Sequence, residues 1–562
     1  VWVQARPRGR RPPLAEARPA TLDAAVRAAL GSCFRIGEVE AAELADELGH
    51  QTLPGDAWLF RQGDPGESLF LLVRGRLAVW REETGSRPTQ IGEVAPGESV
   101  GEVGLLTGEP RSASIRAIRD SVLVEIRRNR FEDLARRHPM LSLEIAGLVA
   151  RRLHERTTGV VRSRRPRVIA LRPLDDRPAL RAACDAIAAA LATQRHVLDL
   201  APDTLAAAGA PVLGAADAAP DEALRHWIAD AEEQADCVFL RCEARDSAWT
   251  DFAQRQADLV LCLACAEDAS APRRFELEGE DAESPFRAPR ALVLVHGPGR
   301  RIEGTAAWLA PRALDFHLHL RADREADDVA RIARVLAGTA TGLVLGGGAA
   351  RGFAHLGVYR ALIERGIPVD WVGGTSIGAI IGAGVAQDFD PLETIERARV
   401  AFVDGKPFDD YTIPLVSILR GERMVKLSKE HLAGDVEDLP LPFFCVSSNM
   451  NSGLANIHDR GPIWRVISAS AALPGVLPPV VHDGELAVDG AVLDNLPVDA
   501  MRRRPVGRVV AVELSTHDAH RVDYDELPSP WALLRQRILP FGSGVDVPGL
   551  ATLLLRSIGI GS

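Results

Sequence analysis

The sequence predicts a multidomain α/β protein with an N-terminal β-roll, and three observations carry that expectation. The chain has 562 residues, too many for one ordinary core, which suggests three domains of roughly 150–200 residues each. Short β-branched runs separated by Gly-Asp, Pro-Gly and Gly-Glu turns fill residues 33–135, whereas beyond 168 apolar strands alternate with Ala-rich helical stretches. A glycine-framed serine, Gly374-Thr375-Ser376-Ile377-Gly378, sits where one such strand meets a helix.

Composition narrows the class. The chain is rich in Ala, Arg, Leu and Gly, poor in Tyr, Met and Lys, and carries a net charge of −11. That balance argues against nucleic acid as a main partner, local basic patches aside. No run of about 18 apolar residues occurs, so no membrane-spanning helix is expected. Seven cysteines at irregular spacing fit reduced thiols in the cytoplasm, with the inner membrane surface as a peripheral station. The opening VWVQARPRGRRPPLAEARP has arginines but no apolar stretch behind them and is not read as a secretory signal. Residues 1–32 are expected to form a disordered tail, and the absent initiator Met marks an incomplete or trimmed start.

Residues 33–158 follow as the β-roll. SLFLLVRGRLAVW and SASIRAIRDSVLVEI read as strands, and the arginine-rich stretch from Asn129 to Val161 has helical spacing, which predicts long helices leaving the roll. RSRRPR at 162–167 reads as a linker. Residues 159–338 form a connector in which RVIAL, DCVFLRC, ADLVLCLAC and RALVLVH alternate with helical stretches, as in a parallel α/β layer with no glycine-rich phosphate loop. Cys262 and Cys265 form a C-x-x-C inside an apolar strand, with no second pair nearby, which favours structural thiols over a metal or redox site. The third domain spans 339–515, and residues 516–562 form a C-terminal segment.

The third domain carries the chemistry. Gly346, Gly347 and Gly348 end an apolar strand and open a helix, so backbone N–H groups and the positive helix end can receive a phosphate or a developing oxyanion. Ser376 follows Gly348 by 28 residues, at the apex of a second strand-turn-helix. A serine nucleophile needs a base. His355 lies on the helix after the glycine loop, where a packing role is favoured; His482 in PPVVHDGELAVDGAV is the better histidine candidate. Asp489, at the end of a short apolar strand and followed by Gly490, is the alternative, since an apolar pocket raises a carboxylate pKa toward that of a useful base.

Together these pieces resemble the patatin-like phospholipase family, over roughly residues 340–515. The resemblance implies a catalytic domain of the α/β hydrolase type with a Ser-Asp dyad: Ser376 as nucleophile, and Asp489 of Asp489-Gly490-Ala491 as base without a histidine. Gly346, Gly347, Gly348 and Arg351 would form the oxyanion hole. ISASAALPGVLPPV before the aspartate and DNLPVDAM after it, with Asn495, extend the match. No metal is implied.

In the β-roll, Glu102 and Arg111 stand nine apart, and Arg111 adjoins the small residues Ser112 and Ala113, an arrangement that can bring an arginine fork and backbone N–H groups onto a phosphate. With Gly63-Asp64, Gly75 and Gly101, the region resembles the cyclic-nucleotide-binding domain. The resemblance implies that Arg111 meets the cyclic phosphate and Glu102 the ribose 2′-hydroxyl. Ser112 and Ala113 would lie beside the phosphate or base, with cAMP preferred to cGMP as an effector. A nucleotide-binding roll followed by a patatin-like domain resembles the neuropathy target esterase family in a short bacterial form, and DSAWTDFAQRQADLVL is similar to that family's linker region. The implied substrates are phospholipids or lysophospholipids at a peripheral membrane surface. The resemblance also places helical sequence beyond the closing LLLRSIGIGS. Two other readings stay open at this stage: a nucleotide-responsive membrane-associated binding protein with a weak or silent catalytic domain, and an esterase or thioesterase on soluble acyl groups. Headgroup, acyl position and oligomeric state are not legible.

Overall fold

A computed structural model describes residues 22–514 except 35, 83–87, 138–144, 148, 150–164, 211–221 and 269–288, and beyond 514 only residues 529 and 531. The expected linker at 162–167, most of the helical stretch after 137, the first 21 residues and nearly all of the C-terminal segment lie largely or wholly outside the described residues. The chain divides into two compact units, residues 1–340 with 502–505, and 341–501 with 506–562.

The first unit opens on helices α1 (Leu22–Phe34) and α2 (Glu38–Glu47). This corrects the expectation of a disordered tail through residue 32. The apolar side chains of α1 recur at helical spacing, and Leu30 and Phe34 are buried with Leu69 and Leu71 of the roll. The roll itself comprises β1 (His50–Leu53), β2 (Trp58–Phe60), β3 (Ser68–Arg81), β4 (Thr89–Val94), β5 (Ser99–Val100) and β6 (Ser114–Arg127), with α3 (Glu102–Thr107) between β5 and β6 and α4 (Arg128–Arg137) after them. The long antiparallel pair β3–β6 slips register around Gly75, whose φ of 99° and contact with Ser121 exclude any side chain.

The connector is a parallel sheet in the order β12-β11-β10-β7-β9-β8. Its strands are β7 (Val168–Pro173), β8 (Val197–Leu200), β9 (Cys237–Arg241), β10 (Leu259–Cys265), β11 (Arg290–His296) and β12 (Phe316–Arg321). Alternate residues of β7 enter different cores: Ile169 and Leu171 meet α5 (Pro178–Ala192) and α9 (Glu325–Ala337), whereas Val168 and Ala170 meet α6 (Glu222–Gln234), α7 (Ala248–Gln256) and α8 (Thr305–Leu309). Cys262 and Cys265 fall on opposite faces of β10, one in each core, so they build no common site. Where β7 and β10 end side by side, the loops present Asp175 and Asp268, ion-paired to Arg177, instead of a phosphate cradle.

The roll and the connector meet through buried charge. Arg74 Nη2 lies 2.5 Å from Asp230, Arg119 reaches Glu232 (2.6 Å) and Asp258 (3.0 Å), and Arg76 reaches Asp258 (3.3 Å). All six side chains are buried. Burial alone would raise the Asp258 pKa; Arg119, Arg76 and the backbone N–H groups of Arg167 and Val168 outweigh that and hold it low. Asp258→Ala should therefore cost about 3 kcal/mol of stability, since it removes the carboxylate that two buried guanidinium groups share and leaves Arg119 on Glu232 alone and Arg76 on the more distant Glu93 (3.8 Å). Denaturant unfolding checks this; a loss below about 1 kcal/mol would show that the pairs are solvated.

The second unit contains a mixed sheet in the order β17-β18-β15-β14-β13-β19, with β16 beside β15. It comprises β13 (Thr341–Leu345), β14 (Trp371–Thr375), β15 (Phe443–Asn449), β16 (Ala455–His458), β17 (Val480–His482), β18 (Glu485–Asp489) and β19 (Arg508–Val512). The first three of these and β19 run parallel, and β18 returns antiparallel to β15. Helices α10 (Ala354–Glu364), α11 (Ile377–Ala386), α12 (Pro391–Arg399), α13 (Glu422–His431), α14 (Ile463–Ser470) and α15 (Val498–Arg502) pack around it. Nine of the ten residues of α11 are buried, which its Gly, Ala and Ile composition allows. Among the described residues no helix is long and apolar enough to cross a membrane.

Candidate active site

Ser376 stands between β14 and α11 with φ 57° and ψ −125°, a backbone conformation that costs a non-glycine residue about 1–3 kcal/mol. The flanking glycines make the turn possible. A Cβ on Gly374 would lie 2.5 Å from the carbonyl oxygen of Gly378, and one on Gly378 would strike the carbonyl of Leu345. Ser470, at the end of α14, bridges the turn: it accepts the N–H of Ser376 (3.0 Å) and donates to the carbonyl of Val446 (2.6 Å). Sequence reasoning missed this serine. Its only local signal is a hydroxyl at the end of an apolar helical run in ISASAALPG.

Ser376 Oγ donates to Asp489 Oδ2 at 2.7 Å. The other carboxylate oxygen accepts the N–H of Ala491 (2.9 Å). Asp489 is 2% exposed, and burial pushes its pKa up to about 6 against the opposing pull of those two hydrogen bonds. Gly490 is needed beside it, because a Cβ there would meet the carbonyl of Val446. The two histidine candidates lie elsewhere. His355 is fully buried and bonds the carbonyl of Gly346 through Nε2 (2.8 Å), and burial lowers its pKa, so it holds the glycine loop as a neutral ring. His482 packs edge-on against His458, ring centroids 4.6 Å apart.

The glycine loop lies against the serine: a Cβ on Gly347 would come within 3.2 Å of the Ser376 Cβ. Its N–H groups are not equivalent. Gly346 donates to Val512 of β19 (3.1 Å), and Gly347 to the Oδ1 (3.1 Å) and carbonyl (3.3 Å) of Asn495. Among the described residues, the N–H groups of Gly348 and Ala349 have no hydrogen-bond partner. Ala349 also has a positive φ, 50°. Arg351 is exposed, with Nε 3.5 Å from the carbonyl of Gly348.

In the roll, Gly101 takes φ 86° and starts α3, placing Glu102 in its first turn, buried. Arg111 is also buried. Its Nη1 donates to the carbonyls of Ser68 (2.7 Å) and Gly101 (3.0 Å), and its guanidinium lies 4.2 Å from the Phe60 ring centroid. Burial lowers its pKa while Asp64, Glu102 and Glu125 support the charge. A side chain on Gly101 would collide with Arg111. Ala113 is buried and Ser112 exposed.

A strained serine on a carboxylate beside a glycine loop, in a unit of this topology, defines a patatin-like domain. Residues 343–502 match the family described as patatin-like phospholipase, residues 50–138 the cyclic nucleotide-binding domain, and residues 212–339 the neuropathy target esterase family P-loop like domain. The chain belongs to the neuropathy target esterase (NTE) family. It is 30% identical to an NTE family protein of Mycobacterium tuberculosis over 93% of this chain and 85% of that one. It is also 30% identical to the patatin-like phospholipase domain-containing protein 6 of Homo sapiens, over 89% of this chain and 40% of that one. The lysophospholipase NTE1 of Mycosarcoma maydis is 30% identical over 88% of this chain and 30% of its own. The chain thus spans about 40% of the length of the protein 6 relatives.

Proposed function

We infer that the protein is a serine hydrolase that cleaves acyl esters of phospholipids or lysophospholipids. The observation that carries the reading is the 2.7 Å bond from Ser376 Oγ to a buried carboxylate whose pKa is raised toward neutrality. Ser376 Oγ attacks the acyl carbonyl while Asp489 takes its proton. The N–H groups of Gly348 and Ala349, which have no hydrogen-bond partner among the described residues, receive the oxyanion; Gly346 and Gly347 shape the loop. As the tetrahedral intermediate collapses, Asp489 returns the proton to the leaving alcohol. A water then gives its proton to Asp489 and attacks the acyl-serine, releasing the fatty acid and restoring Ser376. No metal takes part. Labelling with a fluorophosphonate probe tests the reading: the adduct is expected on Ser376, and a folded protein that takes no label overturns it.

The lipid surface is the expected working place. Ile413, Leu415 and Val416 are 76%, 89% and 67% exposed in one short loop, an apolar display that suits a membrane interface better than water. The roll supplies regulation by a cyclic nucleotide, cAMP before cGMP. Supporting this, the buried Nε of Arg111 has no partner among the described residues, a guanidinium donor that a phosphate oxygen would satisfy. Arg111→Ala is expected to weaken cAMP binding about ten- to a hundredfold by calorimetry on the full chain, the loss of one charge-assisted contact. Equal heats for wild type and variant would remove Arg111 from the site.

A further inference from the structure

We propose that the cavity behind α11 is an acyl-chain pocket and that Gly384 sets the chain length it accepts; this rests on the ester-hydrolase reading above. The cavity is a cleft, open at its mouth, between α10, α11, α12 and α13. Its inner wall is α11 itself, the helix that begins at the proposed nucleophile. Ile380 and Gly384 line it, four and eight residues beyond Ser376, about 6 and 12 Å along the axis at ~1.5 Å per residue.

Three observations identify the occupant as an alkyl chain. First, the walls are mostly hydrocarbon: Leu356, Ile381, Met424 and Leu432 are among them. Of the polar side chains in the lining, Gln387 donates to the carbonyl of His431, Thr394 donates to that of Asp390, and Arg397 pairs with Glu393 and lies over Phe389; Ser428 and His431 complete the polar part. Second, an aromatic bridge joins the wall to the glycine loop. Phe353 follows the loop, is 40% exposed, and meets Phe402 edge-on at 5.2 Å; Phe402 lines the cavity. Third, the wall at Phe402 belongs to a π-helical turn, Val400–Asp404, a wide turn of the kind that recurs where a helix must make room for a ligand.

Gly384 is the residue on which length depends. A Cβ built there meets nothing within 4 Å, in contrast to Gly378 and Gly382 on the same helix, which pack against Leu345 and Phe443. Helix propensity gives no reason for glycine in the last turn of α11, which ends at Ala386. The open space in front of it does.

The test is a chain-length profile with p-nitrophenyl butyrate, octanoate and palmitate on wild type, Gly384→Leu and Ala398→Leu, the last from the facing wall. The palmitate-to-butyrate ratio of kcat/KM is expected to fall at least tenfold in both variants. A second readout does not need turnover: Ser376→Ala protein is expected to bind palmitate, and Ser376→Ala with Gly384→Leu to bind it at least tenfold more weakly. An unchanged ratio, or equal loss on all three esters in both variants, overturns the pocket while leaving the hydrolase reading standing. If wild type cleaves none of the esters and takes no fluorophosphonate, the hydrolase reading fails instead, and the palmitate measurement decides the pocket by itself.

Discussion

Ser376→Ala is expected to lower ester hydrolysis by roughly four to six orders of magnitude while leaving the protein folded. The chemistry loses its nucleophile outright, and the remaining N–H donors retain only the modest catalysis that oxyanion binding gives alone. The fold loses little. Alanine tolerates φ 57° no worse than serine, the N–H still reaches Ser470, and one hydrogen bond disappears. Turnover of a lysophospholipid, with circular dichroism to establish folding, measures the effect. A folded Ser376→Ala protein that still turns over would place the nucleophile elsewhere.

Asp489→Asn should be nearly as damaging to activity, because serine and base act as one unit. It should also make the protein more stable at alkaline pH. The sign follows from linkage: the folded pKa of about 6 lies above the ordinary value of 3.8, so the fold prefers the protonated acid. That contribution is complete below about pH 4 and is lost as the pH rises through 6, leaving a buried carboxylate that costs up to about 3 kcal/mol. Asparagine avoids this cost and keeps the geometry, with its oxygen toward Ala491 and its amide toward Ser376. Unfolding at pH 8 should show the variant ahead, with the gap closing toward pH 4. The same ionisation should appear in the wild type as kcat/KM rising through about pH 6 to a plateau, since the base works as a carboxylate. A histidine would bend the profile near that pH too. His482→Ala separates them: if it were as inactive as Asp489→Asn, the base would be a histidine.

The proposed reacting groups are legible because each sits in a local pattern with its own physical reason: a strand, a sharp turn that only glycines permit, then a helix. Asp489 is 113 residues from Ser376, yet Asp-Gly at a strand end marks it, since Gly490 allows the close approach to β15 that brings the carboxylate in. What stayed hidden depends on distant partners. Nothing near Gly347 in sequence says that Asn495 takes its N–H, so all three glycines looked alike as oxyanion donors. Helix α1 was missed because its few apolar residues lie in an arginine- and alanine-rich stretch, and only the roll gives them something to bury against. Arg74, Arg76 and Arg119 look like solvent-facing strand positions; burial becomes tolerable only because Asp230 and Glu232 on α6, and Asp258 just before β10, arrive from the connector.

Those six charges bear on how such a protein can be rebuilt. A sensor grafted in place of the roll, with a join near residue 160, would leave three acids of the connector facing a stranger, and a roll expressed by itself would carry three arginines dressed for a partner it no longer has. The transplantable piece is the roll together with the sheet behind it, with the seam near residue 340, where the first compact unit ends.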